Sequence, residues 1–400
     1  MKLLFITSLY SGLRESILNN KWKPNGMPAI YKLQEGLRTR NLNFDSVYFS
    51  ENVRTGLYKN HFLNNNNYIY STSVVSMLKI PKILIDCINF LRIWKLRNKY
   101  DTFYVDRSNV LIGALLTFLN KKVILRLHGV ADLYERYENT FNKFKYFIPI
   151  LSFRAKFDAI ICTKDGSPVD LFTEKYCHPD SKLYSWFNGV SFDKDAIKIT
   201  RRDYNISNDT LVLGFISRIS WDKGIWDFVK TLKRLNEMNF KIKFLIVGDG
   251  PYLSDIVNHI KKEKVDNVII TGKVNHSIIP SYLKICDVYI SLNYLGNLSN
   301  STLEAVYSSK CIITLKDKPT LKNSGGYEIL NDAAIYIDRD DVIQELEKKI
   351  VELYYNREII EYYSTRINSK SKLLSNWEDR IGKEIDLIDR IMNNGIKIEK

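Results

Sequence analysis

Five segments between Leu211 and Leu315 decide how this chain is read: LVLGFISRISWDKG (211–224), FKIKFLIVGDGP (240–251), VIITGKV (268–274), DVYISLNY (287–294) and NSTLEAVYSSKCIITL (300–315). Each holds an apolar run of roughly four to eight residues, rich in β-branched side chains and closed by Gly, Asp or Asn, which predicts a buried parallel strand. Helical patterns of roughly ten to fifteen residues separate the runs, as the crossover between parallel strands requires. Ligands of such sheets sit at the carboxyl ends of the strands. The sequence places Arg218, Lys223, Gly248, Gly250 and Glu304 there.

The same alternation fills the first half, where KLLFITS, DSVYFS, TFYVDR, KKVILRLHG, DAIICTK and KLYSWFNGV read as strands. The polar stretch from Asp193 to Asp209 has no apolar period and reads as a linker, and NNNN at Asn64 to Asn67 as a loop tip. Six runs around Val212, Phe244, Ile269, Tyr289, Ile313 and Ile335 supply the second half; beyond Asp338 the pattern is helical. A chain of 400 residues suggests two domains of about 200 each. The expectation is an α/β protein of two Rossmann-like, doubly wound domains facing a central cleft, residues 1–195 and 196–375.

At 45% hydrophobic and 26% charged, the composition is that of a soluble globular protein. No apolar run approaches the roughly 18 residues of a membrane span, and the reading from Met1 is of a strand without a signal peptide. Cys87, Cys162, Cys177, Cys286 and Cys311 are odd in number and form no CxxC pair, which favours a reduced cytoplasm and disfavours zinc. The net charge of +14 is uneven: residues 1–200 carry +12 and residues 201–400 carry +2. Two basic, aromatic stretches, Lys79 to Tyr100 and Asn142 to Phe157, read either as crossover helices with solvated cations or as helices lying on an anionic membrane surface. No motif supports a nucleic-acid partner.

Three constellations carry chemistry. In SRISWDKG, Arg218 and Lys223 flank the start of a helix expected at Ile225, where free amides already favour an anion such as a diphosphate; the plain alternative is two surface charges at a strand end. In IVGDGP, Gly248 makes a tight turn, Pro251 is expected at the first helical position, and Asp249 reads as the cap of a helix running to Lys264. The backbone of TGKV, at Lys273 and Val274, can hold a flat base. In NLSNSTLEAV, a small polar loop enters a helix expected near Thr302, so that the amides of Ser301, Thr302 and Leu303 face a phosphate and Glu304 accepts the hydroxyls of a ribose; Glu304 read alone is ordinary dipole stabilisation. Asp338 and Asp340 spell DxD, but they precede a helix and read as cap and first-turn acid, not as a metal site.

This order of motifs, SR-xxxx-KG, LIVGDGP, TGKV, DVYIS and S-xx-LEA, resembles the donor-binding domain of retaining glycosyltransferases of the glycogen synthase and bacterial mannosyltransferase type (glycosyltransferase family 4-like, group 1), which have the GT-B fold. The likeness is dense over residues 211–315 and thinner in the first half, at ITS near Thr7, NGMP at Asn25, RLHG at Arg126 and NGV at Asn188. The resemblance implies that Arg218 and Lys223 hold the donor diphosphate, Glu304 the ribose, and His128 the transferred sugar. It places the loop at Asn25 and Gly26 near phosphate or acceptor, and returns the last helix (376–400) to the N-terminal domain.

The implied reaction is sugar transfer from a nucleoside diphosphate sugar to a glycan or polyprenyl-linked acceptor, with no cofactor and no metal. The implied location is cytoplasmic, with peripheral contact at the inner membrane face as the extension of that reading. One departure stands out. The family carries a Glu eight positions before the Glu of LEA, and this chain has Gly296 there, followed by Asn297, Leu298 and Ser299. A double displacement through a Glu at that position is therefore excluded, and Asn297 or Asn300 can offer neutral hydrogen bonds instead. The other readings are a nucleotide-sugar-binding protein without catalysis, which Gly296 favours, and a sugar-nucleotide epimerase, whose acid–base groups the sequence lacks.

Overall fold

The computed structural model describes residues 1–24, 26–72, 81–190, 198–296, 298–316 and 329–393. The chain divides into two compact units. The first comprises 1–164, 169–189 and 377–400; the second comprises 165–168 and 190–376.

The first unit is built on an eight-stranded sheet of β1 (Leu3–Ser8), β2 (Phe44–Ser50), β3 (Gly56–Asn60), β4 (Asn65–Ser71), β5 (Thr102–Asp106), β6 (Lys122–Leu127), β7 (Ala159–Thr163) and β8 (Leu183–Trp186), in the order β3-β4-β2-β1-β5-β6-β7-β8. Its pairings are parallel apart from β3 with β4. Strand alternation divides the core between the two faces: Leu3 and Phe5 join one apolar cluster, Leu4 and Ile6 the other.

The strand pair β3–β4 corrects the loop expected at Asn64 to Asn67. Asn64 takes the left-handed turn (φ 52°), and the chain then enters β4 with Asn65 and Asn67 buried. Their amides are satisfied by the Tyr58 carbonyl at 3.2 Å and the Ser46 hydroxyl at 3.4 Å, which offsets the low strand propensity of asparagine.

The helix Trp377–Asn393 packs with the first unit, laying Ile381 and Ile385 against the helix Pro28–Thr39 at Gly36. Its entry explains the glycine of NGV. A Cβ on Gly189 would stand 2.5 Å from Trp377 Cα, so only glycine admits the returning backbone. The helix also contributes Arg380 and Glu384 to a buried charge cluster. Glu384 lies 2.8 Å from Arg380 and 3.6 Å from Arg126, and accepts from the Tyr104 hydroxyl.

The second unit holds a parallel six-stranded sheet of β9 (Leu211–Ile216), β10 (Ile242–Val247), β11 (Val268–Gly272), β12 (Val288–Ser291), β13 (Cys311–Leu315) and β14 (Ile335–Ile337), ordered β11-β10-β9-β12-β13-β14. The order reverses between β9 and β12, which puts a topological switch point at their carboxyl ends.

Several local expectations need correction. The helix after GDGP runs Leu253–Lys262, so Pro251 lies in the preceding turn, and Asp249 accepts from the Gly250 amide at 2.7 Å instead of capping. Asp341, not Asp338 or Asp340, stands at the N-cap of the helix Val342–Tyr355, because Asp338 pairs with Lys316 at 2.7 Å. The described part of the expected linker is not loose either. Arg201 bonds Asp287 at 2.6 Å and the Ile285 carbonyl at 3.0 Å, tying residues 198–209 to the second sheet.

Each basic stretch buries part of its apolar side as a crossover helix does, at Ile93, Leu96 and Tyr100 in the first and Phe153 and Phe157 in the second, and leaves part exposed. In the helix Lys82–Trp94 the buried positions are Asp86, Asn89 and Ile93, while Leu84, Ile88 and Leu91 are exposed; Phe144, Phe147 and Leu151 are exposed in the other stretch. Lys79 and Ile80 lie outside the described residues.

Candidate functional site

In the second unit the connections after β9, β10, β11 and β12 converge at the switch point and are tied to one another. β9 ends at Ile216, and Ser217 and Ile219 donate their amides to the carbonyls of Val247 (3.0 Å) and Asp249 (2.9 Å) in the next connection. The two loops approach so closely that only glycine fits at 248. Its φ is 141°, and a Cβ there would stand 1.9 Å from the Ser217 carbonyl oxygen. Gly248 in turn donates its amide to Gly272 at the end of β11, at 3.1 Å, immediately before Lys273 and Val274.

The two cations of the expected diphosphate site are on this scaffold. Arg218 is exposed, and its guanidinium has no partner among the described residues. Lys223 closes a short turn, Trp221–Lys223, directly before the helix Ile225–Asn236. Its ammonium is half-buried, 3.4 Å from Asp222. Partial burial opposes ionisation of Asp222, yet its carboxyl is held below the usual range by the Ser220 hydroxyl and the Lys223 charge. Among the described residues Lys223 is thus a pre-placed cation with one local counter-charge, and Arg218 a cation without one.

The loop after β12 enters a helix at Asn300–Tyr307, two residues earlier than expected, with Ser299 as N-cap. This changes the amide assignment. Thr302 donates its amide to the Ser299 hydroxyl (3.1 Å) and Leu303 to the Ser299 carbonyl (3.1 Å), so neither is available to a phosphate in this conformation. The Ser301 amide has no acceptor among the described residues and is the one that remains. Tyr289 links this helix start to β9, donating within reach of both Ser301 Oγ (3.0 Å) and the Ile216 carbonyl (3.2 Å).

Glu304 is buried one turn into the helix, and His276, in the connection after TGKV, places Nε2 2.6 Å from its carboxylate. An ionised carboxylate only accepts, so this bond requires a proton on Nε2. His276 was not among the residues singled out from sequence, since nothing in HSIIP announces a contact 28 residues away.

Gly296, in the position of the missing Glu, has φ 75° and borders a small cavity of about 30 Å³ together with Asn293, Thr302, Tyr336 and Arg339. Asn300 sits at the first position of the helix that follows; Asn297 lies outside the described residues.

In the first unit, His128 follows the carboxyl end of β6. Its Nε2 is enclosed and has no hydrogen-bond partner among the described residues. Burial pushes its pKa well below the usual value of 6.5, and the positive charges of Arg126 and Arg107 push it further. His128 is therefore a neutral imidazole whose free ring nitrogen suits a hydroxyl rather than an anion. Arg107 also donates to the Gly129 carbonyl at 2.5 Å and to Asp132 at 2.8 Å, fixing the turn behind His128. Asp106, accepting from Thr7 (2.5 Å) and Asn109 (2.7 Å), joins the ends of β1 and β5. Gly26 (φ 94°) lies beside the Tyr10 ring, and Asn25 falls outside the described residues. Among the described residues no group of three or more His, Cys, Asp or Glu is placed to hold a metal ion.

Two parallel-sheet α/β units of this construction define the GT-B fold. HepE of Anabaena, solved in complex with UDP, superposes with a TM-score of 0.68 at 15% identity over 97% of this chain and 99% of its own. Sucrose-phosphate synthase from Thermosynechococcus elongatus gives 0.68 at 13% identity, over 99% and 100%. These are likenesses of fold.

Residues 196–366 match the family model for glycosyl transferases group 1. It is similar to the capsular polysaccharide biosynthesis glycosyltransferase CapM of Staphylococcus aureus, 25% identical over 255 residues, 60% of this chain and 66% of CapM. It is also similar to alpha-monoglucosyldiacylglycerol synthase of Streptococcus pneumoniae, 27% identical over 159 residues, 36% of each chain. The chain thus spans about two thirds of the one relative and little more than a third of the other.

Proposed function

We propose that this protein is a retaining glycosyltransferase that moves a sugar from a nucleoside diphosphate sugar to a hydroxyl of a lipid-linked or cell-surface glycan in polysaccharide biosynthesis. The observation that carries the reading is the joined scaffold of four strand ends, which holds the loop of Arg218 against Gly248, ties the turn of Lys223 to the connection after β12, and brings the helix bearing Glu304 to the same switch point. The names of the relatives, a capsular polysaccharide glycosyltransferase and a glycolipid synthase, support the choice of acceptor class.

In the proposed reaction the bond between the sugar's anomeric carbon and the diphosphate breaks, and its electron pair goes to the diphosphate oxygen. Arg218, Lys223 and the Ser301 amide face that growing charge, the term that lowers such barriers most. The acceptor oxygen bonds the anomeric carbon from the face the diphosphate leaves, and passes its proton to the departing oxygen. No side-chain nucleophile is needed, which suits a chain with Gly296 in the position of the family's first Glu. Two side-chain cations at the diphosphate take the place a metal ion would fill. Lys273 and Val274 border the base, Glu304 binds the ribose, neutral His128 hydrogen-bonds the transferred sugar, and the loop at Asn25 and Gly26 meets the acceptor. For a lipid-linked acceptor the working position is peripheral, on an anionic membrane at the cytoplasmic face.

Gly296 also favours a second reading, a nucleotide-sugar-binding protein without turnover. A thermal-shift panel of nucleotide sugars followed by product analysis separates the two, because a ligand of the folded state raises the melting point by mass action. The main reading expects one donor to stabilise the protein and its nucleoside diphosphate to be released with acceptor present. Stabilisation without release would establish the second reading, and no stabilisation by any donor would refute both.

A further inference from the structure

The feature that the transfer site leaves unexplained is an apolar, cation-rich surface on the first unit. Three helices, Lys82–Trp94, Val110–Phe118 and Phe147–Phe153, lie side by side on one face of the sheet, the middle one touching both neighbours. An outer helical layer of a globular domain normally turns polar residues outward. Here Leu91 is 61% exposed, Phe118 78% and Phe147 61%, and Phe144, in the short helix Thr140–Lys145 that leads into the third, 84%. Leu84 and Leu151 are exposed with them.

The charges on these segments have one sign. Lys82, Arg92, Lys95, Lys121, Lys143 and Lys145 stand on or beside the layer; its one acidic residue, Asp86, is buried and bound by Lys82 at 2.8 Å. Between the middle helix, the Phe147–Phe153 helix and the C-terminal helix opens a groove of about 1120 Å³. Leu115, Phe118, Leu151 and Ile391 give it apolar walls and Lys182 and Arg390 give it cations, while its two acids are engaged, Asp180 by Lys156 at 2.8 Å and Asp158 by the Val123 amide at 2.7 Å.

This groove is not part of the transfer site. It lies at Lys122, Asp158 and Lys182, where β6, β7 and β8 begin, whereas His128 follows the end of β6, about 20 Å away along a six-residue strand. A contiguous apolar patch rimmed by cations, away from the reaction centre, is what an interfacial contact requires.

We infer that the outer face of this three-helix layer docks on a bilayer containing anionic phospholipid, with the exposed Phe and Leu side chains entering the acyl boundary, the lysines meeting headgroup phosphates, and the groove at its edge taking one lipid. The inference deepens the proposed function by naming the surface behind its peripheral position.

Flotation with phosphatidylglycerol–phosphatidylcholine vesicles, compared with pure phosphatidylcholine vesicles, tests it on the full chain. Each lysine near an anionic surface contributes roughly a fivefold gain in affinity, so Lys95→Ala, Lys121→Ala and Lys145→Ala together should weaken vesicle binding about a hundredfold. Leu91→Ser, Phe118→Ser and Phe144→Ser should abolish it. Five of the six positions are exposed and Lys121 is half-buried, and donor stabilisation in solution should be unchanged in both variants. As a control, Arg54→Ala, Lys59→Ala and Lys383→Ala remove exposed cations elsewhere on the unit.

The inference is overturned if the control triple weakens binding as much as the lysine triple, or if binding is equal on neutral vesicles. It is also overturned if the wild type ignores vesicles but forms a dimer that the apolar triple dissolves, or if the groove binds inorganic phosphate and no vesicle. Donor stabilisation without vesicle binding sinks this inference alone; vesicle binding without stabilisation by any donor sinks the transfer reading alone.

Discussion

Replacing Glu384 with Gln removes the single negative charge in a cluster where Arg126 is 1% exposed, Arg380 2% and Glu384 itself 0%. The carboxylate lies 2.8 Å from Arg380 and 3.6 Å from Arg126, with the Tyr104 hydroxyl donating to it. Breaking a buried pair by removing one partner costs about 3–5 kcal/mol, because the remaining charges stay desolvated. In a unit of about 200 residues each kcal/mol shifts the melting point by roughly 2–4 °C, so a fall of roughly 6–20 °C is expected. Asp386→Ala on the same helix removes an exposed pair with Arg40 and should cost under about 1 kcal/mol.

The pH dependence supplies a second reading of the same variant. Burial opposes ionisation of Glu384, but Arg380 and Arg126 outweigh it and hold the carboxyl below its ordinary value of 4.5. A folded value below the unfolded one means the contribution is complete above pH 4.5 and is lost as pH falls through the folded value. Urea unfolding followed by circular dichroism from neutral to acid pH should therefore show the wild type losing stability at the acid end and Glu384→Gln losing less. A loss below about 1 kcal/mol at neutral pH, no larger than for Asp386→Ala, would refute the claim that this cluster anchors the C-terminal helix.

Three further changes address the site. Gly248→Ala puts a Cβ 1.9 Å from the Ser217 carbonyl at φ 141°; urea unfolding should show a loss of about 1–3 kcal/mol and calorimetry a weaker nucleoside diphosphate, because the loop carrying Arg218 must move. The depressed pKa of His128 means its contribution to stability is complete above about pH 6.5 and declines as pH falls toward the folded value, so His128→Gln should flatten the stability profile between about pH 7 and 5. Glu304→Gln should weaken a nucleoside diphosphate about tenfold, the cost of about 1.5 kcal/mol for a charged hydrogen bond, and leave inorganic pyrophosphate unchanged in the same titration. Equal weakening of both ligands would remove Glu304 from the ribose.

The legible part of the fold was the part made of buried parallel strands. β9 to β14 are continuous apolar runs closed by turn residues, and each appears where the pattern puts it. β3 and β4 were hidden because GLYKN and NNNYIYS carry no such pattern; their asparagines are stabilised by contacts with Ser46 and Tyr58 that only the folded chain creates. Helix starts slipped for the same reason. Asp249 looks like a cap but is taken by Gly250, and Asp338 by Lys316.

The amphipathic stretches exposed a different limit. Periodicity shows that a helix has an apolar face and not what covers it, so the sequence leaves two readings open and only the structure shows Leu84, Ile88 and Leu91 outward. Within the site, Arg218, Lys223 and Gly248 announce themselves because turns, glycines and helix starts are local. His276 on Glu304 and Arg107 on Gly129 join residues 28 and 22 positions apart, and no spacing rule leads to them.

The central claim, that Arg218 and Lys223 hold the diphosphate of a sugar donor, is tested most directly by titrating the cognate nucleoside diphosphate into the wild type, Arg218→Ala and Lys223→Ala by calorimetry. Each charged hydrogen bond lost should cost about 1.5–3 kcal/mol, a weakening of roughly tenfold or more in each variant, with melting points of the free proteins unchanged. Wild-type affinity in both variants would contradict the account.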